Sequence, residues 1–171
     1  MAFPEVSVDI LSEFEAIIGK ENVILDEEKR SDYAHDKTED YHFLPAVVLK
    51  PGTPEEISRI MQLCHEHRVP VTPRGAGTGL AGAALPTHHG VVLSMERFNK
   101  ILQIDELNLQ ATVEPGVITE VFQNAVKEKG LFYPPDPASS GSCFFGWKSF
   151  SKFWWAKSSK VWRYPRLCFE S

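Results

Sequence analysis

The spacing of apolar residues predicts a helical leader at the start of the chain. An amphipathic helix is expected over residues 8–18, and Gly19 provides its stop. A second, shorter helix is expected near residues 26–36, which read DEEKRSDYAHD. We therefore predict that residues 1–40 form a helical leader packed on the main domain. The apolar face of the first helix consists of Leu11, Phe14, Ile17 and Ile18.

The next segment combines two apolar runs with one amphipathic stretch, which predicts a βαβ unit. PAVVLKP and VPVTPRG read as strands, and TPEEISRIMQLCHEHR between them reads as a helix. Thr53 is expected to cap this helix, Pro54 fits its first turn, and Glu56 completes a capping box. A crossover of this kind joins parallel strands, so we predict that the two strands form a parallel pair. The expected apolar stripe of the helix is Ile57, Ile60, Met61 and Cys64.

Strand-like runs dominate the residues that follow. GVVLSM, ILQID and LQATVEPG each predict a strand, and ITEVFQNAVKEKG predicts a helix closed by Gly130. The pattern as a whole predicts a mixed sheet, with a parallel start followed by meander-like strands.

Composition is that of a globular protein. Hydrophobic residues make up 43% of the chain and charged residues 24%. A length of 171 residues is enough for one domain with a sizeable core. No window approaches the roughly 20 apolar residues of a membrane helix, and the start has no basic leader of a secretory signal. We therefore expect a cytoplasmic protein without a transmembrane segment. Its three widely spaced cysteines predict reduced thiols.

The stretch RGAGTGLAGAALP contains four glycines, all within residues 75–82. We call residues 75–82 the glycine loop. Glycines reach positive φ values and carry no side chain, so such a cluster can turn several backbone N–H groups toward one phosphate. Gly77, Gly79 and Gly82 also satisfy GxGxxG, but Pro86 interrupts the helix that the Rossmann fingerprint requires, and no Walker pattern is present. A tight turn between strands is the alternative without a ligand.

Two further features favour a ligand at this loop. Arg74 directly precedes the glycines and offers a fixed positive charge to a diphosphate. YPPDPASSGSC, residues 133–143, forms a second rigid turn whose small and hydroxyl-bearing residues suit close approach of a flat, polar cofactor. Taken alone, that second turn is more simply a proline-braced loop.

In combination, PRGAGTGL, YPPDP and SSGSC resemble the PCMH-type FAD-binding domain of the FAD-linked oxidases. Over about residues 31–146 the chain is most similar to the branch that contains glycolate oxidase and the D-lactate dehydrogenases. The resemblance implies an α+β fold, the N-terminal part of this domain, with a βαβ start and a mixed sheet. It also implies a set of FAD-binding residues. Those at the pyrophosphate are Arg74, Gly75, Ala76, Gly77, Thr78, Gly79 and Leu80, and those along the flavin and ribityl end are Pro135, Asp136, Ser139, Ser140, Gly141 and Cys143.

The resemblance also implies a reaction. Members of the family move a hydride from a D-2-hydroxy acid, glycolate or D-lactate, to the flavin and leave the 2-keto acid. Thr78 occupies the position at which some relatives carry a histidine that tethers FAD, so noncovalent FAD is expected. Iron–sulfur partner subunits are a further implication. No catalytic residue is assigned, because those of the family lie in the second half of far longer chains. The alternative is a noncatalytic FAD- or nucleotide-binding module.

The last 25 residues differ from the rest in charge and composition. Residues 1–146 hold 12 basic and 22 acidic residues, whereas residues 147–171 hold 6 and 1, together with all four tryptophans. Read one nucleotide out of frame, each TGG codon becomes a glycine codon, and permitted codons recover QNSGGPKAVKYGVTRDYVLN, which resembles the family's continuation. We therefore expect a partial FAD-binding domain over residues 41–146 and, after a frameshift near Gly146, an aberrant tail. The rival is a genuine basic-aromatic patch for a membrane or nucleic acid.

The other candidate polar residues receive no role in chemistry. No metal site is expected. His65 and His67 point in different directions on a helix, and His88 and His89 have no cysteine or acidic partner nearby. Tyr33, His35 and Asp36 resemble residues commonly found ahead of this FAD-binding domain, and we expect a structural role for them.

Overall fold

The computed structural model describes residues 3–38, 40–133 and 139–145. Two compact units follow each other along the chain, one ending at Arg97 and the other beginning at Phe98. The predicted leader therefore lies inside the first unit, while the predicted tail lies outside the described residues.

The leader begins with helix α1, Val8–Ile18, which has the predicted bounds. The hydroxyl of Ser7 accepts a hydrogen bond from the N–H of Ile10 at its start, and the chain leaves the helix at Gly19. A short 3-10 turn, Lys20–Asn22, leads to strand β1, Val23–Ile24. Helix α2, Glu27–Ser31, is shorter than the predicted segment.

The first unit contains a sheet of β1 with three longer strands: β2 (Val47–Leu49), β3 (Val71–Arg74) and β4 (Val91–Ser94). The strand order is β1-β2-β4-β3, and both β2 and β3 run parallel to β4. The prediction that β2 and β3 pair directly was wrong, because β4 inserts between them. Their parallel direction was correct.

Helix α3, Pro54–Glu66, connects β2 to β3. The Thr53 hydroxyl accepts from the N–H of Glu56, as predicted. The carboxylate of Glu56 accepts from the N–H of Gly52 rather than from that of Thr53, so the capping box is only half formed. Met61 is 45% exposed, and the buried stripe runs instead through Leu63.

The core of the first unit joins the leader to the sheet. Every residue of β2 and β4 is buried, as expected for strands covered on both faces. The buried faces of α1 and α3 meet one face of this sheet. The cluster consists of Ile10, Phe14, Ile18, Val23, Val47, Leu49, Ile60, Leu63, Cys64, Val69, Val91 and Leu93.

The second unit begins with an antiparallel hairpin of β5, Ile101–Asp105, and β6, Gln110–Val113. These are the predicted meander-like strands. Helix α4, Thr119–Lys127, follows and ends shortly before Gly130. Its buried face contributes to a second core, which consists of Val117, Phe122, Val126, Tyr133 and Phe145.

Two further expectations can be compared with the described residues. Helices long and apolar enough to cross a membrane are not found in the described part of the chain. Cys64 and Cys143 are free, buried thiols, and burial raises the pKa of Cys64 to about 11. Cys168 lies outside the described residues.

Candidate functional site

The glycine loop starts directly after β3, at the C-terminal end of a parallel strand. In open α/β sheets, ligands bind in the crevice beyond this end of the strands. Lys50 follows β2 and Glu96 lies just beyond β4, so the same edge of the sheet also carries charged side chains.

Two glycines of the loop have left-handed backbone conformations. The φ angle is +67° at Gly77 and +66° at Gly82. A Cβ atom on Gly77 would overlap the guanidinium of Arg74, so a side chain at this position would have to displace that group. The loop therefore depends on glycine for both its backbone angles and its packing.

Free N–H groups are the main chemical feature of the loop. Among the described residues, no partner accepts a hydrogen bond from the backbone N–H groups of residues 75–81. The carbonyl of Gly79, in contrast, accepts from the N–H of Lys37, and the N–H of Gly82 donates to Thr38 Oγ1 at 3.0 Å. A run of unpaired donors beside occupied neighbours is suited to an anion with several oxygens.

The side chain of Arg74 packs against the glycine loop at Gly77. Its side chain is only 6% exposed, and its guanidinium donates to the carbonyls of Asp32, at 3.1 Å, and Tyr33, at 3.4 Å. The Arg74 Cζ atom lies 5.5 Å from the centroid of the Tyr33 ring. Burial lowers the pKa of Arg74, against the opposing influence of Asp36. These contacts show that Arg74 supports the loop, and its assignment to the diphosphate stays a prediction.

A charged network fixes the Tyr33 ring in turn. The Tyr33 hydroxyl donates to one oxygen of Glu96, and Lys50 Nζ donates to the other, both at 2.6 Å. Burial raises the pKa of Tyr33, and the bond to Glu96 adds to this. Burial alone would lower the pKa of Lys50, but its hydrogen bonds to Glu96 and Tyr33 outweigh that effect and raise it.

The second group of predicted site residues lies in the second unit, against the start of α4. The carbonyls of Cys143 and Ser140 accept from the N–H groups of Thr119 and Glu120, both at 3.1 Å. The Cys143 thiol is buried and lies 3.2 Å from the hydroxyl of Thr119. This turn therefore caps α4 through its backbone, which leaves neither of these two donors for an anion.

The predicted site residues thus fall into two groups. Those from Arg74 to Leu80 belong to the first unit, and Ser139, Ser140, Gly141 and Cys143 belong to the second. Pro135 and Asp136 lie outside the described residues. Sequence reasoning missed Lys37 and Thr38, because neither belongs to a motif and Thr38 meets its loop partner across 44 residues of sequence.

The geometry of the glycine loop suits a diphosphate. The positive φ at Gly77 and the N–H groups of residues 75–81, which have no partner among the described residues, suit close approach of phosphate oxygens. The described residues therefore fit the diphosphate of a dinucleotide such as FAD.

The chain is similar to several proteins of known name. It is 47% identical over 134 residues to the glycolate oxidase subunit GlcD of Bacillus subtilis, covering 78% of this chain and 28% of that protein. It is 43% identical over 114 residues to the protein of the same name in Escherichia coli strain K12, covering 67% and 23%. To the D-lactate dehydrogenase of Anaerostipes hadrus it is 34% identical over 136 residues, covering 79% and 28%. The chain thus spans less than a third of the length of these relatives.

Solved structures share the fold. Alkyldihydroxyacetonephosphate synthase matches with a TM-score of 0.74 at 22% identity, over 85% of this chain and 32% of that one. The 4-ethylphenol oxidase from Gulosibacter chungangensis matches with a TM-score of 0.70 at 29% identity, over 83% and 29%. An FAD binding domain model matches residues 45–147, more than half of the chain. The chain therefore belongs to the family of FAD-binding domains found in FAD-linked oxidoreductases, and FAD is its cofactor.

Proposed function

We propose that this chain supplies the diphosphate-binding part of an oxidoreductase that oxidises a D-2-hydroxy acid, glycolate or D-lactate, to the 2-keto acid. The observation that carries the proposal is the run of N–H groups over residues 75–81, at the end of β3, that have no partner in the described part of the chain. The names of the relatives from Bacillus subtilis and Anaerostipes hadrus support the substrate class.

Each group of residues has a proposed task in holding FAD. The N–H groups of the glycine loop bind the diphosphate, and Arg74 contributes its positive charge while its guanidinium also supports the loop at Gly77. The turn with Ser139, Ser140, Gly141 and Cys143, together with Pro135 and Asp136, lines the flavin and ribityl end. FAD, when bound, supplies the acceptor for the hydride. We propose that it is held noncovalently, because Thr78 stands where some relatives carry the tethering histidine.

Partner subunits and cellular location are part of the same proposal. The word subunit in the relatives' names supports assembly with other chains, for which we propose iron–sulfur subunits. We place the assembly in the cytoplasm.

Flavin titration of the purified 171-residue chain tests the binding step. Quenching of flavin fluorescence is followed for FAD, with FMN and riboflavin as controls that lack the diphosphate bridge. We expect FAD to bind more tightly than either control and ADP to compete with it. Equal binding of all three flavins would contradict a diphosphate site at the glycine loop.

A second experiment separates the enzyme from a noncatalytic module. Glycolate or D-lactate is added without oxygen to the FAD-loaded protein with the reading frame after Gly146 restored, and the flavin absorbance is recorded. Bleaching by either acid supports the proposed reaction. An unchanged spectrum of this restored protein beside tight FAD binding would support the FAD-binding module that reduces nothing.

A further inference from the structure

The 32–38 segment of the leader meets the glycine loop at three points. The carbonyls of Asp32 and Tyr33 hold the Arg74 guanidinium, which fills the space beneath Gly77. The N–H of Lys37 donates to the Gly79 carbonyl at 3.1 Å. The Thr38 hydroxyl accepts from the N–H of Gly82 at 3.0 Å. The segment therefore contacts the start, the middle and the end of the loop.

These contacts occupy the loop selectively. They use one carbonyl, the terminal N–H and the space under Gly77, and leave the N–H groups of residues 75–81 without a partner among the described residues. The Asp36 carboxylate stabilises the segment itself, since its Oδ1 accepts from the N–H of Thr38 at 2.8 Å. The segment thus contacts the loop without using the N–H groups of residues 75–81.

Affinity for a ligand rises when its site is held in the bound conformation beforehand, because less ordering is left for the binding step. A loop of four glycines has an unusually large conformational freedom to lose. Contacts that restrict the loop without using its N–H groups therefore strengthen anion binding without touching the anion. The family match begins at residue 45, so these contacts come from outside the matched domain.

We infer that the 32–38 segment is a positioning element for the FAD diphosphate and that Thr38 is its positioning residue at the end of the glycine loop. This inference rests on the proposed function for the identity of the ligand. The restriction of the loop itself can be measured in the FAD-free chain.

Two threonines of the first unit offer a matched test. Thr38 accepts from Gly82 in the loop, whereas Thr53 accepts from Glu56 at the start of α3, at 3.2 Å. Thr38→Val removes the first bond and Thr53→Val removes the second, with the same change of atoms. Thr38→Ser keeps the hydroxyl and serves as the rescue variant.

We expect Thr38→Val to weaken FAD binding about fivefold, as the loss of one hydrogen bond predicts, and Thr38→Ser to restore it. Thr53→Val should lower the midpoint of thermal unfolding and leave FAD affinity unchanged. An unchanged affinity of Thr38→Val, or an equal loss in Thr53→Val, would overturn the inference.

Hydrogen exchange of the FAD-free chain distinguishes this inference from the proposed function. Thr38→Val should accelerate exchange of the Gly82 and Lys37 amides, while Thr53→Val should not. If the two variants show this pattern and the original chain binds no FAD, the proposed function fails and the support of the loop stands. If exchange of both amides is unchanged in Thr38→Val, the positioning role fails whatever the affinity for FAD.

Discussion

Arg74 and Gly77 are packed so closely that the guanidinium of the one occupies the space a side chain would need on the other. Arg74 is buried and tied to two leader carbonyls, so it has little room to move away. The identity of residue 77 therefore depends on a side chain at the end of β3 as well as on its own φ angle of +67°.

Gly77→Ala should consequently cost more than Gly82→Ala. Both glycines have nearly the same positive φ, +67° and +66°, so both variants pay roughly 1 kcal/mol for the left-handed backbone. The Cβ at residue 82 would lie an ordinary 3.4 Å from Leu85, whereas the Cβ at residue 77 meets Arg74. We expect a further loss of about 1–3 kcal/mol for Gly77→Ala, measured by urea unfolding. Equal losses would mean that Arg74 yields without cost.

Local patterns in the sequence predicted much of this fold, but they did not predict how strands distant in sequence pair. The bounds of α1 and the capping of α3 by Thr53 depend on residues within one or two helical turns, so the spacing of residue types predicts both. The place of β4 between β2 and β3 depends on how a later strand enters the sheet. Spacing along the chain carries no signal for that insertion.

Glu96 should make the stability of the first unit depend on pH in the acid range. Burial alone would raise the pKa of Glu96, but the hydrogen bonds from Lys50 and Tyr33 outweigh it and hold that pKa below its ordinary value of 4.5. A lowered folded pKa means that the carboxylate stabilises the fold above the ordinary value, and that this contribution is lost as pH falls through the folded pKa. We expect Glu96→Gln to cost about 1–3 kcal/mol near neutral pH, and the difference from the original chain to shrink in acid.

The exposed pair of Lys129 and Glu106 provides the control for this measurement. Its N–O distance, 2.6 Å, equals that of Lys50 and Glu96, but both side chains are more exposed. Glu106→Gln should therefore change the free energy of unfolding by less than about 1 kcal/mol. Urea unfolding at several pH values decides the point. A pH-independent cost of Glu96→Gln would contradict the role of its charge.

The leader helix should be needed for the stability of the first unit, although it precedes the matched family region. Phe14 is fully buried against the sheet and α3, whereas Val8 of the same helix is 77% exposed. Phe14→Ala should lower the free energy of unfolding by about 3–5 kcal/mol, and Val8→Ala should change it by less than about 0.5 kcal/mol. Similar effects of both variants in thermal and urea unfolding would contradict this packing.

The sequence predicts one part of the candidate site and does not predict the other. The glycine loop is a contiguous motif, so its residues could be named from the sequence as the candidates for the diphosphate. The supporting contacts of Lys37 and Thr38 use a backbone N–H and a common hydroxyl, which no composition marks. Arg74 was recognised by its charge, but only its burial reveals that it supports the loop.

The frame of the tail is a prediction that genomic sequencing can test. All four tryptophans fall in residues 147–171, and each TGG codon must yield glycine when read one base later. The family match also ends at residue 147. We expect an inserted or deleted nucleotide near the codon of Gly146, and the restored frame to continue with a sequence close to QNSGGPKAVKYGVTRDYVLN. In a parallel measurement on purified protein, the frame-restored chain should bind FAD at least as tightly as the 171-residue chain. An intact frame at that codon would instead favour the basic-aromatic patch, whose binding to anionic vesicles should then weaken with salt.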